Sequence, residues 1–380
     1  MTIRRGLLLL STLAAGTPAL AAPVDFGLQV QGRLGYGTNP YLAQDNDAGS
    51  LLGGIRLTPQ LSTHTATSST ALSGYYDYTG YTRLYDHSDA FGGDLRHQQQ
   101  FSAKWSGTAH VGYSDTLNAL FSPTEIVDEA TLGRRQRRLV GDFSLAYQPT
   151  ARDQWTVQGN ASRATYPGAV QGFGLSDYNE YGGSFGYMRQ FSEQTRLGLQ
   201  MGVDRLDSKL YADTTSFQPT ILLEQKFNGA WKLTAHVSAI IQRVELGSYS
   251  STSTTAGFGA KLCKEVPRYN LCVEGVRDTA PSGLGGLRTD THGTASFNYR
   301  LTERSNLNLT GTYGRSNAGE FTDTPDQDYA NAEASYNYSL NSRVSVGGSL
   351  SYLWRRYQEF GTAQGFAGSL TVTASFGRNS

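Results

Sequence analysis

The feature that most constrains this chain is an alternation of apolar and polar residues with a period of two. In residues 231–239 every odd position is apolar and every even position is polar, and residues 370–376 repeat the pattern. Such alternation indicates a β-strand with one apolar and one polar face. Many alternating segments exceed ten residues, whereas strands of soluble proteins cluster near about five or six. Their length matches the roughly nine to eleven tilted residues of a transmembrane strand.

Eighteen such segments can be counted between residues 25 and 377. We therefore predict an all-β fold, a transmembrane antiparallel up-and-down outer-membrane β-barrel of about 18 strands. Residues 22–380 form the single barrel, and we expect no N-terminal plug domain, because the first strand begins close to the predicted cleavage site. The connections alternate between short and long, as in bacterial outer-membrane barrels. This asymmetry predicts that both termini are periplasmic.

The N-terminus predicts the compartment. Residues 1–21 read as a signal peptide, with Arg4 and Arg5 at the start, an apolar stretch, and a small-x-small cleavage site at 19–21. We expect an integral protein of the outer membrane of a Gram-negative bacterium, with outer-membrane lipid and lipopolysaccharide as its surroundings. Three tryptophans flank short turns, as interfacial aromatic residues do; they are Trp105, Trp155 and Trp231.

Composition excludes several other classes of protein. Lys and Arg number 32 and so do Asp and Glu, which argues against a nucleic-acid partner bound by a basic face. After residue 22 no apolar run approaches the roughly 18 residues of a membrane-spanning helix. The chain has many aromatic residues, including 23 Tyr, and few charges, so it is not disordered either.

The only two cysteines, Cys263 and Cys272, flank an eight-residue segment with Pro267 and Arg268 at its centre. A hairpin with this tip would place the two cysteines opposite each other, and an oxidising compartment lets such a pair close. We therefore predict a cross-strand disulfide. A two-cysteine metal site is the weaker alternative, because no histidine or third cysteine lies near in sequence.

If the apolar positions face lipid, the alternate positions face the lumen. The pore-lining residues predicted in this way, as candidate contacts for a polysaccharide, are Arg33, Arg56, Arg96, Arg134, Arg138, Arg196, Arg300, Arg343, Arg355, Asp142, Asp204, Glu224 and Glu333. Eighteen strands leave room for an aqueous channel. The excess of arginine in this wall would favour acidic polymers electrostatically. The alternative is that these groups only offset one another's charge in a wet interior.

Catalysis finds little support in the sequence. The six histidines show neither metal-ligand spacing nor a neighbouring nucleophile motif. We expect no enzyme activity, no cofactor and no metal.

Residues 35–42, with the sequence GYGTNPYL, follow the first predicted strand. This segment resembles the start of the beta-barrel porin-2 family, from which it departs by having Gly37-Thr38 before the asparagine. Members of that family are often tied to the export of exopolysaccharides of the sphingan or gellan type. The resemblance implies a pore that conducts a secreted anionic or neutral polysaccharide from the periplasm to the cell exterior. It also implies a periplasmic polysaccharide-export protein as partner.

Two functions therefore remain, and we take the export of exopolysaccharide as the main prediction. The alternative is a diffusion porin for the uptake of small sugars or anions, which would have an inward-folded constriction loop. The third long loop, residues 121–131, is short for a deep constriction and so favours export.

Overall fold

The computed structural model describes most of the chain beyond the N-terminal segment. The described residues are 24–40, 42, 48–83, 87–117, 135–167, 175–227, 230–281, 287–317, 326–357 and 361–377. The predicted signal peptide, residues 1–21, lies outside them. Within the described residues all regular secondary structure is β-strand. No helix in this part of the chain is long and apolar enough to cross a membrane.

The strands are 13 to 18 residues long. In chain order they are β1 (Val24–Thr38), β2 (Gly49–His64), β3 (Ser68–Tyr81), β4 (His87–Gln100), β5 (Trp105–Leu117), β6 (Arg135–Tyr147), β7 (Asp153–Thr165), β8 (Tyr178–Gln190), β9 (Thr195–Ser208), β10 (Asp213–Phe227), β11 (Trp231–Leu246), β12 (Tyr249–Val266), β13 (Tyr269–Pro281), β14 (Leu287–Thr302), β15 (Ser305–Asn317), β16 (Gln327–Ser339), β17 (Val344–Tyr357) and β18 (Gly361–Gly377).

Each strand pairs antiparallel with its sequence neighbours, and β1 pairs with both β2 and β18. The sheet is therefore a closed up-and-down barrel, as the alternation predicted, and the count of eighteen strands is confirmed. Closure leaves the barrel without an unpaired edge strand. A structure within lipid needs this closure, because the bilayer core offers no water to unpaired backbone groups. The lumen of this barrel contains no plug domain in the part of the chain that the structure describes.

The barrel is apolar outside and polar inside. Residues opposite each other in neighbouring strands point to the same face. On the outward face Leu370 is 72% exposed and Val237 is 62% exposed, whereas Asp77, on the inward face, is 4% exposed. A water-soluble protein would reverse this distribution. The outward face thus has the character of a surface made for lipid.

The two ends of the barrel differ in their connections. The short-turn end carries residues 65–67, 101–104, 148–152, 191–194, 230, 267–268, 303–304 and 340–343. At the long-loop end the connections described in full are residues 209–212 and 247–248, and the second is a two-residue turn with Gly247 in the left-handed region (φ 61°). Aromatic rings contact one another on the outward face near the short-turn end. The rings of Trp105 and Tyr147 stack with 4.5 Å between their centres, and those of Trp155 and Tyr187 lie tilted with 4.4 Å between theirs.

The fourth strand begins earlier than its sequence suggests. The sequence predicts a long loop at 85–93 and a strand from 94, but β4 already begins at His87. Asp89 is held in this strand because both of its carboxylate oxygens accept hydrogen bonds from Arg135, at 3.0 and 3.1 Å. The strand thus tolerates an acidic residue because a basic partner two strands away neutralises it.

The cysteine hairpin forms between β12 and β13. Cys263 lies opposite Cys272 in the register, with Pro267 and Arg268 at the tip, and a disulfide joins the two sulfurs at 2.06 Å. Both residues lie on the inward face, since their cross-strand partners Lys232 and Ser296 belong to that face. The bond therefore crosses the lumen side of the wall near the short-turn end.

A pair of neighbouring residues tests the orientation of the wall. Met201 lies mid-strand on the outward face and is 59% exposed, while Gln200 faces the lumen. We expect Met201→Arg to lower the free energy of unfolding in lipid vesicles by about 2–4 kcal/mol, because it places a charge in hydrocarbon. The control Gln200→Arg should lower it by less than about 1 kcal/mol. Urea unfolding of the vesicle-bound protein measures both, and equal losses would contradict the assigned faces.

Candidate functional site: the barrel lumen

The register shows where the predicted pore-lining residues lie. Eleven of the thirteen occupy inward positions of strands: Arg33, Arg56, Arg96, Arg138, Asp142, Arg196, Asp204, Glu224, Arg300, Glu333 and Arg355. Arg134 lies outside the described residues. Arg343 lies in the turn before β17 and not in the wall, because the hydrogen bonds from its own amide and from that of Val344 to Asn341 Oδ1 close this turn. The prediction for Arg343 therefore needs this correction.

Three arginines come together on one side of the lumen, and we call Arg56, Arg96 and Arg138 the basic wall. They line a cavity of about 680 Å³ together with Tyr75 and Gln136. The guanidinium of Arg56 lies 5.0 Å from the centre of the Tyr75 ring. Neither Arg96 nor Arg138 forms an ion pair with any carboxylate among the described residues, and the buried Nε of Arg138 has no hydrogen-bond partner there. These guanidiniums are available to an anionic solute.

A buried carboxylate joins the basic wall to β1. Asp77 on β3 accepts a hydrogen bond from Arg33 and lies 3.9 Å from Arg56, and Thr79 also contacts Arg33. A carboxylate with so little exposure needs paired cations, because burial of an unpaired charge is costly. Asp77 therefore holds two arginines in place and is itself withdrawn from the lumen.

A histidine bridges two carboxylates beside the basic wall. His110 on β5 lies between β4 and β6, with Nε2 2.8 Å from Asp94 Oδ1 and Nδ1 2.7 Å from Asp142 Oδ1. We call these three residues the His110 bridge. Sequence analysis placed Asp142 in the lumen but gave no role to His110 or Asp94. The pattern offered no signal, because only the register brings these positions of three strands together.

The other predicted residues lie apart from the basic wall. Asp204 lines a second cavity of about 530 Å³, in which His236 and Asp278 also take part. Arg196 pairs with Glu224 at 3.3 Å near the short-turn end. Arg300 is exposed near the same end, Glu333 is exposed to the lumen between Thr310 and Ser351, and Arg355 is buried at 4% exposure across from Tyr329.

At the long-loop end, apolar residues pack inside the mouth of the barrel. Tyr166 joins the lumen-facing Ala164, Tyr178 and Leu206 in a buried cluster, which Leu175 and Leu287 complete. Leu287 begins β14, six strands from β8, so these contacts cross part of the mouth. The predicted third loop, residues 121–131, lies outside the described residues.

Asp177, beside this cluster, joins the residue that follows β7 to the residue that follows β9. Asp177 accepts hydrogen bonds from the backbone N–H of Tyr166 at 2.9 Å and from the Lys209 ammonium at 2.6 Å. Partial burial alone would raise the pKa of Asp177. The bonds from Lys209 and Tyr166 outweigh that effect, so the pKa lies below its usual range. The carboxylate is therefore ionised at neutral pH and holds the connection between β7 and β8 at the mouth.

The motif behind the family resemblance serves the first loop. Asn39 has a positive φ of 45° and is 1% exposed; its side chain donates to Gln364 O at 3.2 Å. Leu42, also at positive φ, packs against the lumen-facing Leu353 and Ala363. Asn39 and Leu42 therefore lie against β17 and β18. Their pattern thus meets the demands of a tight turn, and no contact to a polymer is needed to explain it.

Comparison with known proteins gives the fold. No family model matches the chain, and no curated relative matches it. The solved structure of Pseudomonas aeruginosa OccK2 (OpdF) superposes with a TM-score of 0.50 and 12% identity, over 94% of this chain and 98% of that one. A BenF-like porin from Pseudomonas fluorescens Pf-5 superposes with a TM-score of 0.50 and 10% identity, over 93% and 99%. A second OccK2 structure, in complex with glucuronate, gives a TM-score of 0.48 at 13% identity.

This comparison corrects the main functional prediction. The structures that share this fold are OccK2 (OpdF) and a BenF-like porin, which favour the diffusion-porin alternative, so the prediction of an exopolysaccharide export pore is wrong. The error has a physical origin. Hydroxyl, amide and guanidinium groups along a wall bind a sugar of any length, so the polar pattern could not distinguish polymers from small solutes. The resemblance of residues 35–42 to an export family then favoured export over the uptake of small solutes, although Asn39 and Leu42 have a structural role in a turn.

Removal of the buried carboxylate of Asp77 tests the structure of this wall. We expect Asp77→Ala to destabilise the barrel by about 3–5 kcal/mol, because Arg33 and Arg56 lose a buried counter-charge. The double variant Asp77→Ala with Arg33→Met should recover part of this loss. Thermal unfolding in detergent measures the cycle, and simple additivity of the two changes would show that Asp77 and Arg33 do not interact.

Proposed function

We propose that this chain is a diffusion porin of the outer membrane that admits small anions, including sugar acids. The observation that carries the proposal is the basic wall. Arg96 and Arg138 line a cavity in the lumen and have no carboxylate partner among the described residues. Unpaired guanidiniums inside a barrel are retained at an electrostatic cost. That cost is offset when an anionic solute passes between them.

The composition of the cavity supports a hydroxylated solute. Beside the arginines and three carboxylates it is lined by hydroxyls and amides. The carboxylates are Asp94, Asp142 and Glu180, and the neutral groups include Ser114, Gln136, Asn160 and Ser162. Arginine presents a planar pair of donors that suits a carboxylate, while amides and hydroxyls suit sugar hydroxyl groups. The complex of the similarly folded OccK2 with glucuronate is consistent with this chemistry.

The side chains packed inside the long-loop end of the barrel favour the passage of a small solute over that of a polymer. Tyr166 and Tyr178 lie buried against lumen-facing residues, and Leu42 packs inside the opposite wall. The inward packing of these side chains narrows the entrance, which suits a diffusion porin for small solutes. It distinguishes this function from that of a wide conduit.

The proposal includes an orientation. Short turns face the periplasm in bacterial barrels of this type and long loops face outward. The short-turn end and both termini would then be periplasmic, and the cluster of Tyr166 and Leu206 would be the first part of the lumen that an external solute meets.

Solute flux into proteoliposomes tests the function. We expect Arg96→Ser combined with Arg138→Ser to lower the rate of glucuronate entry about threefold or more, with glucose entry changed little, because a focused positive potential raises the local concentration of anions. The matched control is Arg163→Ser, since Arg163 lies on the outward face opposite Leu139. Liposome swelling gives both rates. Equal loss for glucuronate and glucose, or no loss, would contradict an anion-binding role for this wall.

A further inference from the structure

We propose that His110, in its doubly protonated form, sets the anion preference of the channel. It binds Asp94 and Asp142 at the same time and so leaves Arg96 and Arg138 as the free charges of the basic wall. Loss of the proton would release a carboxylate and weaken the preference for anions. The inference rests on the proposed function and deepens it, by assigning a specificity-determining residue and a response to pH.

The hydrogen bonds of the ring carry the first step. Both ring nitrogens of His110 lie within 2.8 Å of a carboxylate oxygen. An ionised carboxylate only accepts hydrogen bonds, and a neutral imidazole has a single N–H to donate. Both contacts can be made to ionised carboxylates only when both nitrogens carry a proton. The observed geometry is therefore that of an imidazolium between two carboxylates.

The charged residues around His110 show what its loss of a proton would change. From β4, the charged groups beside His110 are Asp94 and Arg96. From β6 it is Asp142, and Arg138 lies four residues farther along that strand, opposite Ser114. Arg96 lies directly opposite His110 in the register, and Asp94 is two residues away on the same face of β4. Without the bridge, each aspartate would be a ready partner for a nearby guanidinium. The bridge instead directs both carboxylates toward the ring.

A glycine leaves space for the bridge. A Cβ atom at Gly112 would lie 3.0 Å from Asp94 Oδ1 and 3.3 Å from His110 Nε2. Both distances are shorter than ordinary contacts, so a larger residue would press on the hydrogen bond between the two groups. The strand that carries His110 therefore also provides the room in which Asp94 approaches it.

The protonation of His110 sets the net charge of five groups in this part of the lumen. They are His110 itself, Asp94, Asp142, Arg96 and Arg138. With the imidazolium, three cations face two anions; with a neutral ring, two cations face two anions. In a cavity with walls of low dielectric, one charge beside the path of a solute alters the local concentration of ions. Deprotonation would both remove a positive charge and return a carboxylate to the arginines.

The experiment is a measurement of reversal potential across planar bilayers in a KCl gradient, at about pH 6 and at about pH 9, the second well above the ordinary pKa of histidine. For the unmodified protein we expect the ratio of chloride to potassium permeability to fall about twofold or more between these conditions. In His110→Gln the ratio should already be low at pH 6 and should change little with pH. The matched control, His97→Gln, removes a histidine on the outward face of β4 that bonds to Thr70, and should behave as the unmodified protein.

A second variant separates charge from folding. Adding Asp94→Asn and Asp142→Asn to His110→Gln removes the released carboxylates, so the anion preference should return and stay independent of pH. Recovery of this kind could not come from a misfolded barrel. An equal response to pH in His110→Gln and in the unmodified protein would overturn the inference while leaving the channel anion-selective. Preference for potassium at both pH values in the unmodified protein would instead overturn the proposed function itself.

Discussion

The structure depends on the backbone hydrogen bonds between neighbouring strands. In a bilayer an unpaired N–H or C=O group has no water to bind, so each strand needs a partner on both sides. The pairing of β1 with β18 meets that need for the last two strands and closes the barrel. Closure then fixes the side chains: alternate residues must point to lipid and to the lumen. The apolar exterior and the charged interior are two consequences of one set of bonds.

Because the exterior and the backbone carry stability, the lumen is released from the usual demands of a hydrophobic core. Lumen-facing charges need only avoid isolation. Asp77 meets this condition through Arg33 and Arg56, and Arg196 meets it through Glu224. Two arginines of the basic wall do not meet it, since Arg96 and Arg138 have no carboxylate partner in the described part of the chain. Two such guanidiniums beside one cavity are what points to an anionic solute.

The sequence predicted those features that depend on local pattern. Period two predicted the strands and their faces, and the short and long connections predicted the topology. The spacing of Cys263 and Cys272 predicted their opposition across a hairpin. The start of β4 was missed because Asp89 looks like a loop residue until Arg135 is placed beside it. The function was predicted wrongly because the motif around Asn39 was interpreted as evidence for a transported polysaccharide. In the structure Asn39 instead adopts the positive φ of a turn and bonds to the backbone of β18. Neither contact is local, so neither could be read from residue order.

The His110 bridge shows why register, more than residue type, determines chemistry in such a barrel. His110, Asp94 and Asp142 lie on three strands, and their separations in sequence carry no recognisable spacing. A shift of one residue in the pairing of β5 would turn His110 toward lipid. The apolar outward residues Val111 and Tyr113 prevent that shift, because it would move their side chains into the aqueous lumen. It would also turn His110 and Gly112 toward hydrocarbon. The lipid-facing residues of β5 thus hold the charged group of the lumen at its place, although they never contact a solute.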